Sequence, residues 1–395
     1  MGLIKFVGRF GYEGKTIVIK ECYLLLKFLV MLGATALVFS IAGCSSESTS
    51  SDQNPAVSSG YYEGETVTLI MGLDASAGGT TVGRLLAKHL ESTLDGNPNV
   101  IVKNMPGASM MNAHLFVLLK APKDGTTVYY GPRSSLGELL EFPGHSFKYS
   151  QFTILGGVQL APLVTYARKD MLEGGIQSPA DILKADGLVF GGISAEHGRM
   201  IASTMGLDLI GADYHFVGGY PGSGKIRAAV LSGEVNMATD AAHAYLNEVV
   251  PTLEQQNLNA PLFSLPLLNA QGELIKSPLV PDIPTVNELY EEIYGEPPSG
   301  LNWDSILTMI QIDQTMQHVF LGPPGMDQEA VETFQAAIAP AMATVGFADE
   351  ANRILSYVPD AVDAARATEV LSATALVSSE TQDFIEAQIT RNSSY

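Results

Sequence analysis

The sequence predicts an α/β protein built as two lobes, and three observations predict it. From Thr66 onward, short apolar runs alternate with helical stretches, the pattern of a parallel sheet covered on both faces by helices. The alternation comes in two successive sets that are not alike in sequence, which suggests two lobes rather than one continuous sheet. The chain has 395 residues, 46% hydrophobic and 16% charged, enough for two cores and far from the composition of a disordered protein.

In the first set, Val67 to Met71 reads as a strand, Val82, Leu85, Leu86 and Leu90 mark one helix face, and Val100 to Val102 is the next strand. Met105-Pro-Gly-Ala108 turns into a helix bearing Leu115, Phe116, Val117 and Leu119, and Asp124-Gly-Thr126 opens the strand Thr127 to Tyr130. The second set starts with strands at Phe152 to Val158 and Leu163 to Ala167, then a helix near Pro179 to Lys184 and the strand Leu188 to Phe190. A helix from about Glu196 to Met205, the strand Tyr214 to Val217, a helix from Lys225 to Leu231 and the strand Val235 to Thr239 complete it. Asp327 to Val345 and Ser378 to Ile389 read as terminal helices, while 257–300, rich in Pro, Asn and Gly, resists assignment.

The N-terminus bears on the compartment. Lys15, Lys20 and Lys27 precede an apolar run from Phe28 to Gly43 that ends in small residues before Cys44. This resembles a bacterial lipoprotein signal with the lipobox Ile41-Ala42-Gly43-Cys44, which implies cleavage before Cys44 and lipidation of its thiol; the run is short for a transmembrane span. The segment before Lys20 is long for such a signal, which fits a start codon further downstream. Ser45 to Gly60 is serine-rich and nearly devoid of apolar side chains, a flexible tether. The two cysteines are Cys22 and Cys44, so the domain itself has no thiol for a disulfide, a zinc site or a nucleophile. A formal net charge of -20 argues against a nucleic-acid partner.

Three constellations are candidates for chemistry. Gly219-Tyr-Pro-Gly-Ser-Gly224-Lys225-Ile226 has the spacing of a phosphate-binding P-loop, but Ile226 stands where a magnesium-holding hydroxyl is required. Gly192-Ile-Ser194-Ala-Glu196 approaches the G-x-S-x-G nucleophile elbow with Glu in place of the last glycine; an exported α/β hydrolase using Ser194 is therefore the alternative function, with His197, His215 and His243 as possible bases and Asp240 as a possible orienter. No metal motif is present, and neither a metal nor a cofactor is expected. The third constellation is Leu69 to Leu90, where a strand, the paired glycines Gly78-Gly79 and a helix aim free backbone N–H groups at one spot. Similar strand-to-helix turns occur at Ser134-Ser135, Gly191-Gly192 and Gly222 to Gly224; helix N-termini from two lobes facing one cleft would bind a small carboxylate without a catalytic group.

Asn97 to Ala108, Ala121 to Thr126, Gly218 to Gly222 with Leu231 to Val235, Val280 to Val286 and Leu321 to Gly325 together resemble, in order, the substrate-binding proteins of tripartite tricarboxylate transporters, the TctC or Bug receptors. The resemblance implies a type II periplasmic-binding-protein-like fold with hinged lobes and mostly parallel sheets flanked by helices. With the lipoprotein signal at 1–43 and the tether at 44–61, the rest divides into a first lobe at 62–161 and about 305–395 and a second at about 162–304. The resemblance implies no enzymatic activity, a monomer held at the membrane by its N-terminal lipid alone, in the periplasm or at the cell surface, and delivery of a small organic acid to the membrane permease subunits. The ligand-binding residues it nominates are Ser76, Ala77, Gly78, Gly79, Thr80 and Thr81 with Ser134 and Ser135 on one side. On the other lie Gly192, Ile193, Ser194, His197, Tyr220 and Asp240. Two departures bear on the ligand. Thr80-Thr81 follow the paired glycines where relatives commonly carry an Asp, and Glu196 would repel a second ligand carboxylate unless Arg199, Arg133 or Arg168 offsets it, so a monocarboxylate, an amino acid or an acid with a polar far end is expected rather than citrate.

Overall fold

The computed structural model describes residues 60–269 and 271–394. The signal segment, Cys44 and almost all of the tether lie outside them.

Apolar side chains on both faces of the central strands build a layered sheet. Val67, Leu69 and Met71 enter one core while Ile70 enters another; Val128 and Tyr130 are likewise separated from Tyr129, and Phe320 from Val319 and Leu321. This is the period-2 alternation of a strand buried on both sides. The resulting six-stranded sheet runs in the order Asp360–Val362, Thr153–Gln159, His318–Gly322, Thr127–Pro132, Thr66–Met71, Asn99–Asn104. Helix Gly78–Leu90 covers one face with Val82, Leu85, Leu86 and Leu90, as the spacing predicts. Helix Met111–Lys120 contributes Met111, Ala113 and Val117 to the other. The second sheet has five strands, in the order Tyr214–Val217, Leu188–Gly191, Met237–Ala241, Leu163–Arg168, Asn259–Ser264. Its helix Gly198–Leu209 is packed among Phe190, Phe216 and Phe263.

The sheets are mixed, which corrects the expectation of mostly parallel sheets. Thr66–Met71 is parallel to both Asn99–Asn104 and Thr127–Pro132, but His318–Gly322 is antiparallel to both of its neighbours, as is Asp360–Val362 to Thr153–Gln159. In the second sheet Leu188–Gly191 has two parallel neighbours and Leu163–Arg168 two antiparallel ones. The reason is the route of the chain. It leaves the first sheet after Gln159, enters the second at Leu163, and returns to start the strand His318–Gly322. A strand that starts at the crossing must run against those that end there. The two crossings are tied together: Leu160 N–H donates to Gln317 Oε1 at 2.6 Å, Gln317 Nε2 donates to the Leu160 carbonyl at 3.4 Å, and Gln159 Nε2 donates to the Gln314 carbonyl at 3.4 Å.

Other differences from the sequence reading are local. The helix expected near Pro179 to Lys184 is a 3-10 helix over Pro179–Lys184, opened by a Ser178–Asp181 capping box, and the strand expected at Val235 begins at Met237. The unassigned 257–300 stretch holds the strand Asn259–Ser264 and the helix Val286–Tyr294, which a Thr285–Glu288 capping box opens. The last helix, Ser379–Ser393, was expected with the first lobe but packs against the second. Ile385 enters the core around helix Gly198–Leu209, and Arg391 pairs with Asp208 at 2.7 Å.

Gly157 sits where the first sheet meets the returning strand, and a Cβ there would stand 2.8 Å from the His318 carbonyl oxygen. Gly157→Ala should therefore overpack this junction and cost about 1–3 kcal/mol. Urea unfolding should show a lowered midpoint with an unchanged m value; an unchanged midpoint would contradict the close approach.

Candidate functional site

Because the strands that end at the crossings point their carboxyl ends toward the seam between the sheets, the loops that follow them gather there, the position where α/β sheets bind ligands. The first of these loops, Gly72 to Ala77, leads into helix Gly78–Leu90, whose N-cap residue Ala77 provides no side-chain cap. The N–H groups of Gly78 and Gly79 lie in the first turn, without intrahelical acceptors. A Cβ on Gly79 would meet His318 Cε1 at 2.9 Å, so only glycine lets this helix end approach the returning strand. Behind the loop, Gly72 faces Met110, the last of four consecutive residues, Gly107 to Met110, with positive φ. Three of these are not glycine, and backbone strain of this kind clusters at binding sites.

The second sheet supplies the N-terminus of helix Gly198–Leu209. His197 caps it, with Nδ1 accepting from the Arg199 N–H at 3.3 Å. Arg199, in the first turn, is half-buried, and its guanidinium has no ion-pair or hydrogen-bond partner among the described residues. Its charge reaches groups from both sheets. Burial, with Arg199 next, lowers His318 to about 3, and the same pair of causes lowers His197 to about 4. Burial, Arg199 and Arg227 lower His243 to about 4, so all three rings are neutral at pH 7. His243 Nδ1 is buried without a partner, and its ring stacks on Tyr357 at 4.9 Å. Gly79 against His318, and Gly198 against Asp313, bring both helix ends to the segment that returns to the first sheet.

Two acids border Arg199. Asp240 is buried and tied to Arg227 Nη1 at 2.8 Å and to the Tyr166 hydroxyl at 3.1 Å; burial pushes its carboxyl up to about 6 against the pull of Arg227. Asp313 follows helix Leu301–Met309, and its Oδ2 lies 3.3 Å from where a Cβ on Gly198 would be, which sets the carboxylate against the helix N-terminus. Burial raises its pKa, while Arg133 and Arg199 pull it down. Arg133 is itself buried: Nε donates to the Met316 carbonyl at 2.8 Å, Nη2 to the Ile312 carbonyl, and Nη1 has no partner.

The nominated residues divide in this setting. Ser76 and Gly78 are exposed, Ala77, Gly79 and Thr81 half-buried at the first loop, and Ser194 is exposed at the second. Others are committed inward. Thr80 is fully buried, donating to the Asp74 carbonyl at 2.8 Å and accepting from Asn104 Nδ2 at 3.0 Å, so it locks the loop. Ser135 Oγ donates to the Ile312 carbonyl at 2.9 Å, and the Ser134 N–H to the Tyr149 hydroxyl at 2.7 Å. Gly192 and Ile193 use their backbone to pair with Val217, Gly219 and Tyr220, and the Tyr220 hydroxyl donates to Glu234 at 2.7 Å. Asp240 is held by Arg227, as above. Glu196 is exposed in the second loop, and Asp313 is a further acid at the same helix end. Sequence reasoning noticed Arg199 and Arg133 only as offsets to Glu196; it missed Asp313, His318 and His243 as a group because they lie far apart along the chain.

The alternative chemistries have no support. His197 uses Nδ1 at its own helix end and Asp240 is held by Arg227, so Ser194, His197 and Asp240 form no relay. Ile226 is buried where a P-loop needs a hydroxyl, and no group of three His, Cys, Asp or Glu among the described residues could hold a metal.

No family model and no curated protein matches the chain. Solved structures do. A TctC solute-binding protein from Polaromonas, without ligand, is 16% identical, with a TM-score of 0.58 over 83% of this chain and 99% of that one. A Rhodopseudomonas palustris protein with adipate is 17% identical, with a TM-score of 0.57 over 82% and 97%. MatC from Rhodopseudomonas palustris, with bound malate, is 18% identical, with a TM-score of 0.51 over 83% and 97%. This likeness shows a shared fold: mixed α/β, with two sheets flanked by helices.

The lowered pKa of His318 gives a pH test with a definite sign. The folded protein keeps the ring neutral down to about 3, whereas the unfolded chain protonates it near the ordinary value of 6.5. His318→Gln retains an amide to bond the Tyr130 hydroxyl, which lies 2.9 Å from His318 Nδ1, and removes the titration. Stability of the wild type relative to this variant should therefore be full above pH 6.5 and fall as pH drops from there toward 3, by up to roughly 1.4 kcal/mol per pH unit. Urea unfolding of both proteins near neutral pH and in acid measures this; a pH-independent difference would refute it.

Proposed function

We propose that this chain is an extracytoplasmic solute receptor that captures a small organic acid in the seam between its two sheets and presents it to a membrane permease of the tripartite tricarboxylate type. The observation that carries the reading is Arg199. A half-buried guanidinium without a partner is costly unless an anion completes it, and here it faces the seam to which the N–H groups of Gly78 and Gly79 also point. A carboxylate bound there would gain a charge-assisted hydrogen bond and a helix dipole together. No group in the reading is asked to break a bond, so it is a binding function, not an enzymatic one. The malate and adipate held by proteins of the same fold are small carboxylic acids, which supports that ligand class.

Among the described residues no helix is long and apolar enough to cross a membrane, so in this reading the N-terminal lipid at Cys44 holds the monomeric receptor at the periplasmic or outer cell surface. From Ser76 to Gly79 on one side and Ser194 with His197 on the other, backbone and side-chain donors complete the site around Arg199.

A thermal-shift screen of small organic acids should show saturable stabilisation without turnover, by mass action on the native state. Arg199→Ala should weaken the best ligand by roughly 10- to 100-fold, the worth of a hydrogen bond to a charged group. Equal affinity of the two proteins would remove Arg199 from the site. Separately, cells given a radiolabelled fatty acid should label the wild type and leave Cys44→Ala unlabelled; label retained in that variant would refute lipidation at Cys44.

A further inference from the structure

The charges at the seam nearly cancel, and what remains sets the kind of acid that fits. Arg227 is bonded to Asp240. Arg133 has Asp313 as the foremost negative charge acting on it, and Asp313 in turn feels Arg133 first and Arg199 second. The three histidines that Arg199 reaches are neutral at pH 7. Of Arg133, Arg199 and Arg227, Arg199 is the one whose guanidinium makes no hydrogen bond or ion pair among the described residues, and it is positive. One carboxylate neutralises it.

Where a second ligand carboxylate would look for a partner, the protein has already placed one of its own. Asp313 lies against Gly198, at the positive end of helix Gly198–Leu209, beside the buried Arg133 whose Nη1 lacks a partner. The other features of that corner are committed to carbonyls of the crossing segment: Arg133 Nε to Met316, and Ser135 Oγ to Ile312. One Asp313 oxygen accepts from Gln314 Nε2 at 3.1 Å, and the other is open to a donor. A carboxylate brought to this corner would meet Asp313 at close range, and like charges juxtaposed at an interface oppose binding.

Resting on the receptor reading above, we propose that Asp313 is the selectivity residue of the site: the ligand carries one carboxylate, held by Arg199 and the Gly78–Gly79 end of the first helix, and at its far end a hydrogen-bond donor, a hydroxyl or an ammonium, that Asp313 accepts. Dicarboxylates are rejected by Asp313, as a site built with an acceptor rejects a ligand that brings another.

Isosteric probes separate this from the general reading. Calorimetric titrations of the full-length protein compare malonate, succinate and adipate with the hydroxy and amino monocarboxylates of the same chain lengths, and with butyrate as a chain ending in methyl. At the length that binds best, the hydroxy or amino acid should bind the wild type at least about tenfold more tightly than the dicarboxylate and than butyrate. Asp313→Asn should reduce that preference about tenfold or more by strengthening dicarboxylate binding. Dicarboxylates binding the wild type as tightly as their hydroxy and amino counterparts would overturn the inference and leave the receptor reading standing, a result that needs no variant to fold. If no acid in the set binds, the receptor reading fails and this inference with it.

Discussion

The side-chain amide of Gln317 bonds both backbone groups of Leu160, and this pairing joins the two segments by which the chain leaves its first sheet and comes back. Much of the molecule follows from it. A strand that begins at that junction, Leu163–Arg168 or His318–Gly322, has to run against the strands that end there, so each sheet is mixed. The strands that end at the junction open their loops toward the opposite sheet, which is why two helix N-termini from separate parts of the sequence share one seam. The crossings at residues 159–163 and 314–318 are thereby fastened side by side.

The electrostatics of the seam are arranged by burial more than by pairing. His197, His243 and His318 are kept neutral by desolvation, with Arg199 adding to the effect. The cost of an unmatched guanidinium is carried by the fold around it, since the crossings and the helix Gly198–Leu209 that bears it are set by packing that Arg199 does not supply. Arg133 shows the same economy of position. Its bonds to the carbonyls of Ile312 and Met316 hold the returning segment, while its charge offsets Asp313. In the proposed site Arg199 is the anchor, and the proposed selectivity rests on Asp313 beside it.

Local pattern was enough to read most of the elements. Val82, Leu85, Leu86 and Leu90 lie on the buried face of their helix, and the strands from Val67, Thr127 and Leu188 formed where apolar alternation placed them. The glycine loops were legible because glycine before a helix carries a backbone meaning that does not depend on distant partners. Side-chain roles were less so. Thr80 and Ser135 are the right type of residue in the right turn, but their hydroxyls found carbonyl acceptors in the protein itself. Helix Ser379–Ser393 has an apolar stripe with no label saying which sheet it will meet; Asp208 and the core around Ile385 decided that.

By itself the sequence determined the alternation of strands and helices, the two-set organisation and the two glycine-rich turns, all of which depend on residues within a turn or two of one another. The direction of the crossing strands, the pairing of Leu160 with Gln317 and the meeting of Arg199, His243, Asp313 and His318 were decided only in the tertiary structure. These residues come together because two crossings bend the chain back on itself. Nothing in a local stretch of side chains encodes which groups separated by a hundred residues will share a low-dielectric seam, and it is that shared seam which sets their charge.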